Sequence, residues 1–239
     1  KYRPVLGGQN DAYEMYKAGI RAIYIKEIQT TSLEDLKALD KIFRQIHTQY
    51  GIKVIMGHFG GYYHGGTGGI QTQGIEARVR RMVEFFGDKD YVLCWMMGEE
   101  GNLKSRGIAY YQAMERYRRA IVEEERKLGV HHPTLIGIGD GDVNNDKISD
   151  LDVAAANIRK YAPGFDAPAL NIYREDKESL REALNVVKDH SGKRHVFISE
   201  FGRHSAGRTQ HPDAHFGVRH TLAQRLIANV FRPWQFHHT

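Results

Sequence analysis

"YVLCWMMGEEGN", residues 91–102, is the stretch on which the reading of the fold turns. Its first seven residues form an unbroken apolar run of strand length, the mark of a strand buried on both faces in a parallel sheet. The run breaks at Gly98, and two acids follow, Glu99 and Glu100, then Gly101 and Asn102. A buried strand opening onto carboxylates puts charge at the end of a sheet, where loops receive it.

The same pattern recurs along the chain. "AIYIKEI" (22–28), "KVIMGHF" (53–59), "PTLIGIG" (133–139), "APALNIY" (167–173) and "RHVFISE" (194–200) are further strands, and "RPVLGG" (3–8) is a weaker first one. Helical patterns lie between them. In the segment 31–47, Ser32 and Asp35 form a capping pair, and Leu33, Leu36, Leu39, Ile42, Phe43 and Ile46 make one face. Others span 75–86, 108–129 (ended by Gly129), 150–161, 179–190 and 221–231, the last with Thr221 and Gln224 as its capping pair. Strand alternating with helix indicates parallel βαβ units. Both a closed (β/α)8 TIM barrel and an open doubly wound sheet satisfy that order. No Gly-x-Gly-x-x-Gly or Gly-x-x-x-x-Gly-Lys occurs, which weakens the nucleotide-binding forms of the open sheet. "HGGTGGI" (64–70) lacks a lysine and reads as a loop. The expectation is one α/β barrel domain over residues 1–239, incomplete at the eighth strand, since only "RPWQFHHT" follows the helix at 221–231.

Composition narrows the function. Lys+Arg 34 against Asp+Glu 29 gives a net charge of +5, with both signs mixed along the chain. The densest basic run, "RVRRM" (78–82), sits between Glu76 and Glu84 on a helix and reads as a solvated face, so nucleic acid is not expected as a partner. No apolar run reaches the length of a membrane span, so no membrane partner is expected either. A soluble protein follows, cytoplasmic or secreted. Cys94 is the single cysteine, within an apolar run, which excludes an internal disulfide and a cysteine zinc site and points to packing.

The strands end alike. Glu27, His58, Glu99 with Glu100, Asp140 with Asp142, Asn171 with Tyr173, and Glu200 close six successive strands. In a parallel barrel all carboxyl ends lie on one face, where the loops build the site. Glu100 and Glu200 come from the fourth and seventh strands, which face each other in an eight-stranded barrel. Two carboxyl groups across a mouth suit glycoside hydrolysis, in which one protonates the leaving oxygen and the other attacks the anomeric carbon or activates water.

These motifs resemble clan A retaining glycoside hydrolases, whose fourth strand carries W-x-x-G-N-E-x-N; Trp95, Gly98, Glu100 and Asn102 match it. "HVFISEFG" (195–202) resembles the seventh-strand motif, with Glu200 as nucleophile, and "PALNIYRE" (168–175) the sixth strand, whose tyrosine, here Tyr173, touches the nucleophile. "HHPTLIGIGDGD" (131–142) is similar to the fifth. The catalytic barrel of glycoside hydrolase family 2 and its bacterial relatives is the nearest in flavour, and the resemblance runs from about residue 12 to about 231. It implies double displacement, with Glu100 as acid then base and Glu200 as nucleophile. It also implies a carbohydrate substrate and neither cofactor nor metal. Sugar contacts are expected from Glu99, Asn102, Tyr173, Asn171, His58 and Trp234, with Tyr62 and Tyr63 as further platforms; Trp95 is expected in the core.

Three features depart from that pattern. Tyr24 stands where clan members carry an arginine, Glu99 stands where they carry asparagine, and the eighth strand is not evident. Two other readings follow: a non-catalytic carbohydrate-binding barrel, and a metal-dependent hydrolase using His58, His64, Asp140 and Asp142. Bare sheet edges would have to be covered, by "RPWQF" (232–236) or by a partner chain or domain that closes the barrel.

Overall fold

A computed structural model describes residues 11–25, 32–57, 74–98, 100–105, 107–140, 150–174 and 176–201. The expected strand at 3–8, Glu27, His58, the loop with Tyr62, Tyr63 and His64, Glu99, Asp142, the helix at 221–231 and Trp234 lie outside the described residues.

The elements run α1 (Asp11–Lys17), β1 (Ala22–Ile25), α2 (Leu33–Tyr50), β2 (Lys53–Gly57), α3 (Ile75–Phe86), β3 (Val92–Met97), α4 (Gly101–Ser105), α5 (Ile108–Leu128), β4 (Thr134–Gly139), α6 (Leu151–Tyr161), β5 (Ala167–Ile172), α7 (Lys177–Ser191) and β6 (Phe197–Phe201). The helices begin and end as their sequences direct. Ser32 caps α2 by accepting from the Asp35 amide, and Asp176 caps α7 by accepting from that of Ser179. Gly51, Gly129 and Gly192 close α2, α5 and α7 in left-handed conformation. Helix α7 therefore spans 177–191 instead of the expected 179–190. The short helices α1 and α4 fall below the length at which apolar periodicity reveals a helix.

The six strands are all parallel and lie in the order β1-β2-β3-β4-β5-β6. That order separates the two architectures the sequence allowed. A doubly wound sheet reverses its strand order part-way, whereas here each strand joins the same side of the one before, as in a barrel. Right-handed crossovers then bring all the long helices to one face. The sheet is the arc of a (β/α) barrel, with β1 and β6 at its margins among the described residues.

Two apolar layers follow from strand alternation. Ile23, Ile25, Val54, Met56, Trp95, Met97, Ile136, Ile138, Leu170 and Ile172 face the helices and join Phe43, Phe86, Tyr117 and Ile158 in the main core. Ile55, Cys94, Met96, Leu135, Ala167 and Ala169 make the inner layer, with Tyr24 and Phe197 packed against it. Burial pushes the Cys94 thiol up to about 12, so it is a packing residue with no thiolate at neutral pH. Two register shifts interrupt the alternation. Leu93 is an extra residue in β3 against β2, and Ser199 an extra residue in β6 against β5.

Behind the sheet, Glu125 of α5 is 1% exposed. Its Oε1 accepts from the Trp95 indole at 2.7 Å and lies 2.6 Å from His132 Nδ1, while Oε2 accepts from the His132 amide at 3.2 Å. Trp95 is thus a core residue, tied by a buried carboxylate to the segment that leads into β4.

Candidate active site

The residues that follow β3 set the position of Glu100. Gly98 is left-handed, with φ 69°, and a Cβ there would lie 2.0 Å from the Tyr110 hydroxyl. A Cβ on Gly101 would lie 2.1 Å from the Tyr110 ring. The turn therefore wraps a buried tyrosine, whose hydroxyl donates to Gly137 O at 2.8 Å, and only glycine fits at either end. Between them Glu100 has φ 47°, and it is the one non-glycine residue with positive φ among those described. Such a conformation costs about 1 kcal/mol or more and is held by its surroundings. It carries the Glu100 side chain over Gly139, where a Cβ would meet Glu100 Cγ at 2.8 Å. Gly98→Ala adds both left-handed strain and overpacking against Tyr110. We expect it to destabilise the fold by about 2–4 kcal/mol, measured by chemical denaturation; a loss below 0.5 kcal/mol would contradict the packing described.

Asn102 fixes the other side of the turn. It is 6% exposed, its Nδ2 donates to Gly139 O at 2.8 Å, and its Oδ1 accepts from Gly139 N at 2.8 Å. Its amide is thereby committed to the end of β4. Asn102, expected at the sugar, also staples α4 to β4 through Gly139, the residue over which the Glu100 side chain lies.

Asn171, at the end of β5 and 2% exposed, is the hub of the site. Ser199 Oγ donates to its Oδ1 at 2.6 Å, and its Nδ2 donates to Glu100 Oε1 at 3.2 Å. The serine bond orients the amide so that its donor faces the carboxylate. Glu200 is the register partner of Asn171 on β6, and the Tyr173 hydroxyl donates to Glu200 Oε2 at 2.6 Å. Glu100, Asn171, Ser199, Tyr173 and Glu200 thus form one constellation at the carboxyl ends of β3, β5 and β6. Asp140, past the end of β4, is paired with Arg174 through two hydrogen bonds of 2.5 and 2.7 Å. In the metal reading it was a ligand, but its carboxylate is occupied by a guanidinium. Tyr24 lies on the inner layer with its ring against Gly57, where a Cβ would come within 2.0 Å of Cε2. Sequence reasoning missed Ser199 and Arg174, because neither hydroxyls nor arginines are diagnostic at such positions. No group of three metal-ligating side chains occurs among the described residues, and no helix among them is long and apolar enough to cross a membrane.

No family profile matches the chain, and no curated protein is significantly similar to it in sequence. Solved structures are similar. The β-glucosidase from Thermotoga maritima in complex with cyclophellitol superposes with a TM-score of 0.56 at 14% identity, over 80% of this chain. The family 1 β-glucosidase of the same organism gives 0.53 at 14% identity. ScGas2 in complex with compound 7 gives 0.53 at 14% identity over 82% of this chain. The arc is a partial TIM barrel. Its structural neighbours are clan A glycoside hydrolases, and they do not single out family 2. At such identities the likeness is one of fold. The chain spans 65% of the length of the β-glucosidases and 44% of that of ScGas2. Within this barrel the constellation lies at the strands' carboxyl ends, the face on which TIM barrels build their active sites.

Proposed function

We propose that the chain is the catalytic barrel of a retaining glycoside hydrolase that cleaves a β-glycosidic bond by double displacement. The observation that carries this is the convergence of two carboxylates on one strand end: Glu100 accepts from Asn171, and Glu200 is the register partner of Asn171. Glu200, held by the Tyr173 phenol, is the nucleophile. It attacks the anomeric carbon, the aglycone oxygen leaves with the proton of Glu100, and a glycosyl ester forms on Glu200. Water then attacks the same carbon, its proton passes to the Glu100 carboxylate, and the ester bond to Glu200 breaks. Asn171 orients Glu100, and Asn102 supports it through Gly139. Glu99, His58 and Trp234 are assigned to sugar contact from their sequence positions, and a partner chain or domain is assigned to closing the arc. The affinity with family 2 within the clan rests on the residues at 91–102 and 195–202.

The test is stereochemical. Hydrolysis of an aryl β-glycoside followed by proton NMR should release the β-anomer first. In a crystal structure the two carboxyl groups should lie about 5 Å apart, the spacing of a retaining pair. Initial release of the α-anomer, or a separation beyond about 10 Å, would refute double displacement. A non-catalytic sugar-binding barrel is the second reading. It is favoured by Tyr24, which fills the inner layer against Gly57 at the place where clan members carry an arginine. It predicts saturable sugar binding without hydrolysis of any aryl glycoside.

A further inference from the structure

Asp140 and Arg174 form a bidentate pair at the mouth, and neither belongs to the double displacement just described. Arg174 Nε donates to Asp140 Oδ2 at 2.5 Å and Nη2 to Oδ1 at 2.7 Å. The Asp140 side chain is 6% exposed and that of Arg174 32%. A carboxylate so nearly buried requires a partner, and the planar fork of arginine fixes both distance and angle, which a lysine would not. Asp140 makes a second bridge between the same two chain segments: its backbone N–H donates to Asn171 O at 2.9 Å. One bridge holds the residue two before Tyr173, and the other holds the residue just after it. Tyr173 itself is 45% exposed, so packing alone does not lock its ring. Its hydroxyl nonetheless meets Glu200 Oε2 at 2.6 Å.

We propose that Asp140 and Arg174 are positioning residues that clamp the chain on both sides of Tyr173 and so deliver its phenol to Glu200. The clamp ties the end of β4 to the segment beyond β5, and Tyr173 carries its effect to β6. Its catalytic consequence rests on the glycosidase reading; its geometric consequence does not.

The test separates the two. Protein labelled with 13C at tyrosine Cζ is compared by NMR, the Tyr173 resonance being the one lost in Tyr173→Phe. Glu200→Ala removes the acceptor and sets the full displacement of that resonance. Arg174→Met keeps the stem of a partly exposed side chain and should move the resonance by at least half as much. Asp140→Asn, which retains the shape but weakens the fork, should move it in the same direction. A resonance unmoved in both variants, with melting temperatures near that of the parent, overturns the proposal. On an aryl β-glycoside, Arg174→Met should lower kcat roughly tenfold with KM little changed, because a misplaced side chain and not a lost substrate contact is responsible. In the Tyr173→Phe background the same substitution should cost less than about twofold, since residues acting through one another are not additive. Independent, multiplying losses would contradict a clamp that works through Tyr173. If the parent protein hydrolyses no glycoside, the glycosidase reading fails by itself, and the resonance still decides the clamp.

Discussion

Glu200→Ala is expected to abolish turnover of aryl β-glycosides, lowering kcat on the order of 10⁴-fold or more, as removal of a covalent nucleophile does. Glu100→Ala should behave differently. With a leaving group that needs no proton, the first step survives while the second, which needs a base, slows by about 10²–10⁴-fold. Rapid mixing should therefore show a burst of released phenolate equal to the enzyme present. Azide distinguishes the two vacated faces. In Glu200→Ala it attacks the substrate directly and yields the α-glycosyl azide by one inversion. In Glu100→Ala it attacks the glycosyl ester and yields the β-azide by two. Azide products of the same configuration from both variants would overturn the role assignment.

The second large effect concerns stability. Glu125→Ala removes the partner of the Trp95 indole, the His132 amide and the His132 ring Nδ1 from a site 1% exposed. Leaving buried donors unsatisfied costs about 1–3 kcal/mol each, so the loss should be about 3 kcal/mol, or about 10 °C in Tm for a chain of this size. Glu125→Gln keeps an acceptor for Trp95 and should lose about half as much. Combining Glu125→Ala with Trp95→Phe should cost less than the sum of the two, because the second change removes a donor that the first has stranded. Calorimetry measures all four. A melting point within 2 °C of the parent in Glu125→Ala would show that the buried carboxylate contributes nothing net.

The fold could be read from the sequence because long apolar strands and capped amphipathic helices each carry their own period. The strand ends were legible for the same reason: Glu100, Asn171 and Glu200 sit where the apolar runs stop. What pattern alone could not supply was the pairing between strands. Asn102 stands at motif spacing from Glu100, but its two-way bond with Gly139 of β4 has no signature in the sequence. Asp140 looked available to a metal because Arg174, 34 residues away, has no local signature. Strict alternation from Phe197 would also set Ser199 on the inner layer and Glu200 with the helices. The extra residue in β6 reverses this and brings Glu200 opposite Asn171. The choice between barrel and doubly wound sheet likewise needed the strand order, which composition and period leave open.

That extra residue bears on how this chain is to be lined up with others. With Ser199 present, Phe197 and Glu200 share a face across three positions, and a regular strand would need only two. A homologue with an unbulged β6 would be one residue shorter there, with its acid in the same place in space. A one-residue gap before Glu200 therefore leaves the acid in place while removing the Ser199 hydroxyl, and a comparison that forbids the gap would align Glu200 with the wrong column. The same holds before Cys94, where Leu93 is the additional residue in β3. Two such slips, one ahead of each glutamate, would hide a shared constellation behind mismatched columns.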